Sequence, residues 1–148
     1  MKYALVLMCS LWSAILSAEA QISDAYVRGL IPGRDMSAGF FTFKNSGDQP
    51  IVLVGASSAA AERVEFHTSL HEDGMMKMRA LENVTVAPGE SVTFAPGGNH
   101  LMLFGCDEKV FAAGHVMLNL QSAAGESFHL HMPVMSAKSA HSSHSMNH

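Results

Sequence analysis

Cysteine is almost absent from this chain, which has two among 148 residues, Cys9 and Cys106. Cys9 lies in an apolar N-terminal stretch that reads as a removable leader, so Cys106 would stand alone in the mature chain. A lone cysteine excludes an internal disulfide and a paired-thiolate metal site. We expect Cys106 to be a small buried hydrophobic residue, because unpaired cysteines usually pack in cores.

Positive charge and long apolar runs are scarce as well. Nine Lys and Arg face thirteen Asp and Glu, for a net charge of −4, and the bases are not clustered. This argues against nucleic acid or a polybasic membrane surface as partner. The one apolar run, Ala4–Leu16, is too short to span a bilayer, and it follows Lys2 and precedes the small-x-small pattern Ala18-Glu19-Ala20. We predict a cleaved signal peptide at residues 1–20 without a lipid anchor at Cys9, which lacks the Leu-x-x-Cys context, and no membrane span after cleavage.

Short β-type segments separated by turn residues fill residues 21–135, and no long 3.6-residue period occurs. This pattern predicts an all-β fold, an antiparallel sandwich or barrel. Ala56–Glu62 is expected to form a helical turn or two. The predicted strands are Gly39–Lys44, Ile51–Gly55, Arg63–Leu70, Met75–Leu81, Asn83–Val86, Ser91–Phe94, Leu101–Gly105, Val116–Gln121 and Ser127–Val134.

Histidine and methionine are what the chain has in excess, nine and eleven residues. Strand alternation places His67 on the polar side of its segment and Met78 opposite Lys77 and Arg79. His100 follows a Pro-Gly-Gly-Asn turn and shares a face with Met102, about 6.5 to 7 Å away along the strand. Side chains converging from such positions can reach one ion.

The spacing His67-x10-Met78-x21-His100-x-Met102 resembles the ligand signature of the periplasmic PCuAC-type copper chaperones, which are small cupredoxin-like β-sandwich proteins. The flanking segments 64–68, 74–79, 86–90 and 96–103 are similar to that family too. The resemblance implies a periplasmic chaperone that delivers copper to a respiratory cytochrome oxidase or a thioredoxin-like assembly protein. A departure is Phe104-Gly105-Cys106, and Phe104 is expected to shield the ion rather than bind it.

The donor set itself favours Cu(I). Thioether and imidazole are soft to borderline ligands, and two of each without thiolate or carboxylate suit Cu(I) better than Zn(II) or Mg(II). Thioethers also bind without losing a proton and do not form disulfides in an oxidising compartment. The predicted site is therefore one for a transferable Cu(I) ion.

A second group of His and Met residues is a candidate for another copper ion, as Cu(II): His129, His131, Met132, His141, His144, Met146 and His148. The alternative is an ordinary strand followed by a flexible, solvated tail at residues 136–148. His115 and Met117 are expected to be turn and core. Met36, His71, Met75 and Met76 are candidates for the rim of the first site.

Other functions stay open beside the chaperone. A copper-sequestering or resistance protein would need the same four ligands. A blue-copper electron carrier would need a Cys thiolate with two His, and the nine-residue gap from Cys106 to His115 is wider than expected. No nucleophile, histidine and acid fall into a recognisable catalytic arrangement, so we expect a monomeric binding protein and no enzyme.

Overall fold

A computed structural model describes residues 20–136, which form ten β-strands and one short helix. The predicted signal peptide, apart from Ala20, and the tail after Ser136 lie outside the described residues. The strands are β1 (Ala20–Arg28), β2 (Met36–Asn45), β3 (Ile51–Ser57), β4 (Ala61–Glu72), β5 (Met75–Leu81), β6 (Val84–Val86), β7 (Ser91–Phe94), β8 (Asn99–Cys106), β9 (His115–Ser122) and β10 (Ser127–Met135), with helix α1 (Glu108–Ala112) between β8 and β9.

All ten strands belong to one sheet, in the order β5-β4-β8-β7-β2-β1-β10-β9-β3-β6. Two further pairings, β8 with β2 and β3 with β4, close the sheet on itself. The pairs β1–β10 and β7–β8 are parallel and the other pairs are antiparallel. The predicted all-β sandwich or barrel is confirmed.

The core lies inside this closed sheet and follows the strand alternation. Val64 and Phe66 of β4 point inward, as do Leu101 and Leu103 of β8. Phe94 stacks on a neighbouring core phenylalanine with ring centroids 4.3 Å apart. The alternate residues of β4 and β8 must therefore face outward, and these include three of the predicted ligands, His67, His100 and Met102.

One local expectation was wrong, and one strand was missed. Residues 56–62 do not form a helical turn, because β3 runs to Ser57 and β4 begins at Ala61. The helix lies instead at Glu108–Ala112, where the Asp107 side chain accepts a hydrogen bond from the Lys109 backbone N–H at 2.8 Å. Strand β1 was not predicted. No helix within residues 20–136 is long and apolar enough to cross a membrane.

Candidate metal centre

The two predicted histidine ligands face each other across neighbouring strands. His67 of β4 is directly paired with His100 of β8, and their ring centroids are 5.8 Å apart. Two pairs further along, Glu65 lies opposite Met102. Directly opposed residues of an antiparallel pair share a face of the sheet, so His67, His100 and Met102 all project from the outer surface.

Met78 joins this surface from β5, where it is paired with Ser69 of β4. Ser69 and His67 are two residues apart and therefore face the same way. The structure thus brings all four predicted ligands to one face of the sheet, which we call the ligand face: His67, Met78, His100 and Met102. Met78 is 63% exposed, whereas His100 is only 5% exposed. The face therefore combines a buried imidazole with a thioether that solvent reaches.

The ring of His100 is held in one orientation by the turn before β8. Its Nδ1 lies 3.0 Å from the Gly98 carbonyl oxygen, which can only accept, so Nδ1 carries the proton. The other ring nitrogen, Nε2, then carries a lone pair. This Nε2 is buried and has no hydrogen-bond partner within the described part of the chain. A buried lone pair without a donor is the state of a histidine prepared to ligate a metal.

His67 is oriented from its own strand. Its Nε2 lies 2.9 Å from the Glu65 carboxylate, so the ring donates there, and in the neutral ring the lone pair is on Nδ1. Hydrogen bonds from His67 and then from Arg63 lower the pKa of Glu65, which keeps this carboxylate ionised as an acceptor. The Nδ1 of His67 is also buried and unpartnered among residues 20–136. Both histidines therefore present one free nitrogen.

The separation of the rings fits one shared ion. A metal–imidazole bond is about 2.0–2.1 Å, and two such bonds plus two ring radii span roughly the observed centroid distance. Searched through residues 20–136, the structure holds no group of three or more His, Cys, Asp or Glu suited to a metal. The further donors on the ligand face are the sulfurs of Met78 and Met102, which are soft ligands.

A cavity of about 430 Å³ opens in front of the ligand face. His100, Met102 and Met78 line it together with Met36 and Met76, which agrees with the expectation of a methionine rim. His71 is paired with Met76 and faces the same way, but Met75 is paired with Glu72 and belongs to the opposite face.

Phe104 lies on the ligand face beside His67, with ring centroids 6.1 Å apart. The Arg63 guanidinium covers that phenyl ring at 4.2 Å from its centroid. Phe104 supplies no donor atom, and its role in shielding an ion stays a prediction.

Cys106 is kept away from this face by a break in the alternation of β8. Strict alternation from His100 and Met102 would place Cys106 outward with them. Gly105 has φ of +62°, however, and Cys106 instead lies in the core. Burial first and the charge of Asp35 second raise the pKa of the thiol to about 11. Cys106 is thus a buried protonated thiol, as expected, and supplies no thiolate to a blue-copper centre.

The structure brings together only part of the group predicted to hold a second copper ion. Met132 is wrong as a ligand, because it is 0% exposed in the core and faces away from His129 and His131. The expectation for Met117 is also wrong, since this side chain is exposed beside His131. His141, His144, Met146 and His148 lie outside the described residues, and their part in a second copper site stays a prediction.

Sequence reasoning missed the groups that orient the histidines. Glu65 was recognisable in principle, because it is two residues before His67 in the same strand and so shares its face. The sequence around Gly98 indicates a turn, but it does not show that the Gly98 carbonyl contacts His100. The ring pair of His115 and His131 joins distant segments and required the register of β9 and β10.

Known proteins share this fold. The copper-bound PCuAC domain from PmoF2 superposes with a TM-score of 0.65 at 21% identity, over 81% of this chain and 96% of that domain. The Cu(I) form of DR1885 from Deinococcus radiodurans gives 0.61 at 25% identity, over 83% of this chain and 80% of that one. The resemblance to PCuAC proteins is thereby confirmed for the fold, and the four-ligand signature stays a prediction.

The sequence comparisons give the family. The family model described as "Putative lipoprotein LpqE-like" matches residues 20–134. The "Putative lipoprotein Lxx21020" of Leifsonia xyli subsp. xyli (strain CTCB07) is 30% identical over 115 residues, which cover 77% of this chain and 68% of that protein. This match over most of the chain shows that the protein belongs to the LpqE-like family.

Proposed function

We propose that this protein is a periplasmic copper chaperone that binds one Cu(I) ion through His67, Met78, His100 and Met102 and delivers it to a copper-centre protein. One observation carries the proposal: two paired imidazoles each have a buried ring nitrogen without a partner among residues 20–136, on a face that also bears two methionine sulfurs. Copper-bound proteins of the same fold support the choice of metal.

The histidines are the anchoring part of the site. Their orientation is fixed by Glu65 and by the Gly98 carbonyl, so little freedom is lost when the metal binds. All four ligands are neutral when bound, and the ion keeps its single positive charge near the Glu65 carboxylate. A neutral, soft donor set of this kind favours Cu(I) over Zn(II), which prefers thiolate, imidazole and carboxylate.

Release begins at the exposed methionine. Met78 is the most exposed of the four ligands and lines the open cavity, so an acceptor's ligand can replace its sulfur while the two histidines still hold the ion. The buried imidazole of His100 would leave last. Stepwise ligand exchange of this kind suits transfer to a copper centre of a respiratory cytochrome oxidase, or to a thioredoxin-like assembly protein.

Binding is tested by competition with a chromophoric Cu(I) chelator under anaerobic conditions. The wild type should remove one equivalent through the ligand face, and His67→Gln and His100→Gln should each lose it. Met75→Leu, an exposed methionine on the opposite face, is the matched control and should bind as the wild type does.

Delivery is tested by mixing the Cu(I)-loaded protein with the apo copper-binding domain of an oxidase subunit, separated afterwards by size or charge. Copper in the acceptor supports a chaperone. If the acceptor binds Cu(I) tightly enough to compete and the loaded protein still keeps its copper, the result favours the sequestering alternative and contradicts delivery.

A further inference from the structure

A second cluster of soft metal ligands lies on the outer surface of β9 and β10. It consists of His115, Met117 and His131. The imidazole rings of His115 and His131 are 4.6 Å apart between centroids and tilted by 38°. Strands β2 and β1 lie between β8 and β10 on one side of the closed sheet, and β3 lies between β9 and β4 on the other. The two clusters are therefore distinct.

The cluster follows from the register of the two strands. Met117 is directly opposite His131, and His115 is directly opposite Pro133, two pairs further along. The neighbouring residues Val116 and Met132 are buried, so alternation sends these three side chains outward together. The β9–β10 ladder holds seven successive residue pairs, which fixes the relative position of the three side chains on a rigid element.

The exposed side chains of His115, Met117 and His131 are suited to binding a metal ion. Met117 is 55% exposed on the face of a well-formed strand, where a thioether gains nothing from solvent. It stands against an imidazole, and cross-strand neighbours directly opposed in this way have Cβ atoms about 4.5–5.5 Å apart. With metal–nitrogen bonds of about 2.0–2.1 Å, rings at the observed separation can bind one ion from adjacent corners of its coordination sphere.

We infer that His115, Met117 and His131 form a second copper site that takes Cu(I). Two imidazoles and one thioether are neutral donors of soft to borderline character, and a monovalent soft ion matches them best. All three side chains are exposed, so a fourth position stays open to solvent or to an incoming ligand. The site is independent of the proposed function, because it shares no residue with the ligand face.

The test is Cu(I) titration of the full chain against a chromophoric chelator of moderate affinity. His115→Gln and His131→Gln should each lose one equivalent relative to the wild type. His129→Gln is the matched control: it removes an exposed histidine from the same face of β10, which is opposite Asn119 rather than Met117. Because the substituted side chains are exposed, circular dichroism should show all three variants folded.

A second readout locates the ion directly. Cu(I) is diamagnetic, so the Met117 methyl resonance can be followed by NMR, and it should shift as this equivalent binds. In His100→Gln the Met117 shift should persist while the ligand-face equivalent is lost. Unchanged stoichiometry in both His115→Gln and His131→Gln, or an equal loss in His129→Gln, would overturn the inference without bearing on the ligand face.

Discussion

His67 and His100 are directly opposed across β4 and β8, and each uses one ring nitrogen for an orienting hydrogen bond while the other is buried and has no partner within residues 20–136. Leaving a buried polar atom unsatisfied costs about 1–3 kcal/mol, so the metal-free protein carries a local penalty at this pair. A shared ion would satisfy both nitrogens at once. Ligand binding and fold stability are therefore coupled here.

Copper should stabilise the fold. At free Cu(I) about a thousandfold above the dissociation constant, the free energy of unfolding should rise by about 4 kcal/mol. For a domain of this size that is roughly 15 °C in Tm, and anaerobic calorimetry with and without one equivalent of Cu(I) measures it. His100→Gln should show no such rise at that copper level. An equal rise in the variant would contradict coupling through the histidine pair.

Met78→Leu should weaken Cu(I) binding without unfolding the protein. The Met78 side chain is mostly exposed, so its replacement by leucine removes the sulfur at little cost to packing. We expect a loss of affinity of more than about 100-fold, since losing an outer partner of a metal ligand alone costs about 10–100-fold. The control is Met75→Leu. Met75 is 60% exposed at the start of the same strand, and its replacement should leave the Cu(I) affinity at the wild-type value. Equal Cu(I) affinities for the two variants would contradict the assignment of Met78 as a ligand.

Glu65→Gln tests the orientation of His67. The amide can still contact the ring, but it has no negative charge to hold the proton on Nε2, so Cu(I) affinity should fall by about 10–100-fold. Arg63→Gln removes the other partner of this carboxylate and leaves the Glu65 contact with His67 in place, so its effect should be much smaller. A chelator competition at neutral pH compares the two. A larger effect from Arg63→Gln would contradict the assigned role of Glu65.

Cys106 should make stability fall at alkaline pH. The folded-state pKa of the thiol is raised from 9.0 to about 11, so the folded protein keeps a proton that the unfolded chain loses above pH 9. This contribution is complete below pH 9 and is lost as the pH rises through 11. Cys106→Ala should therefore show a flatter decline in the free energy of unfolding between pH 9 and pH 11. Parallel curves for the two proteins in urea titrations would contradict the assignment.

Gly105→Ala should destabilise the protein more than Gly33→Ala does. Both glycines have positive φ, +62° and +77°, which costs a residue with a Cβ about 1–2 kcal/mol. A Cβ at Gly105 would also come within 2.6 Å of the Glu62 side chain, whereas a Cβ at Gly33 meets nothing within 4 Å. The difference in urea midpoints measures the clash. Equal losses would show that Glu62 moves aside freely.

Strand alternation predicted much of the fold from the sequence. Turn residues located nine of the ten strands, and alternation placed His67 on the polar side of its strand and His100 with Met102 on a shared face, because Val, Leu and Phe alternate regularly with them. Strand β1 was missed because its start, Ala20–Gln21, coincides with the predicted end of the leader. The burial of Cys106 was predicted, but its cause was not. Alternation alone would place Cys106 outward, and the backbone conformation of Gly105 reverses this.

Long-range register limited the prediction of both sites. The opposition of His67 and His100, and that of Met117 and His131, depends on how distant strands align. Met132 was grouped with His129 and His131 because it is adjacent in sequence, and the pleat of β10 instead sends it into the core. For the first site, the family resemblance named the four ligands. Their spacing in the sequence did not show how they lie relative to one another in space.

The ligand set on Cu(I) is the central claim, and X-ray absorption at the copper edge of the protein loaded with one equivalent tests it most directly. We expect two nitrogen scatterers near 2.0 Å and two sulfur scatterers near 2.3 Å, by analogy with zinc bonds of these types. Met78→Leu should lose one sulfur and Met75→Leu none. A wild-type spectrum with nitrogen or oxygen ligands alone, or one unchanged by Met78→Leu, would contradict it.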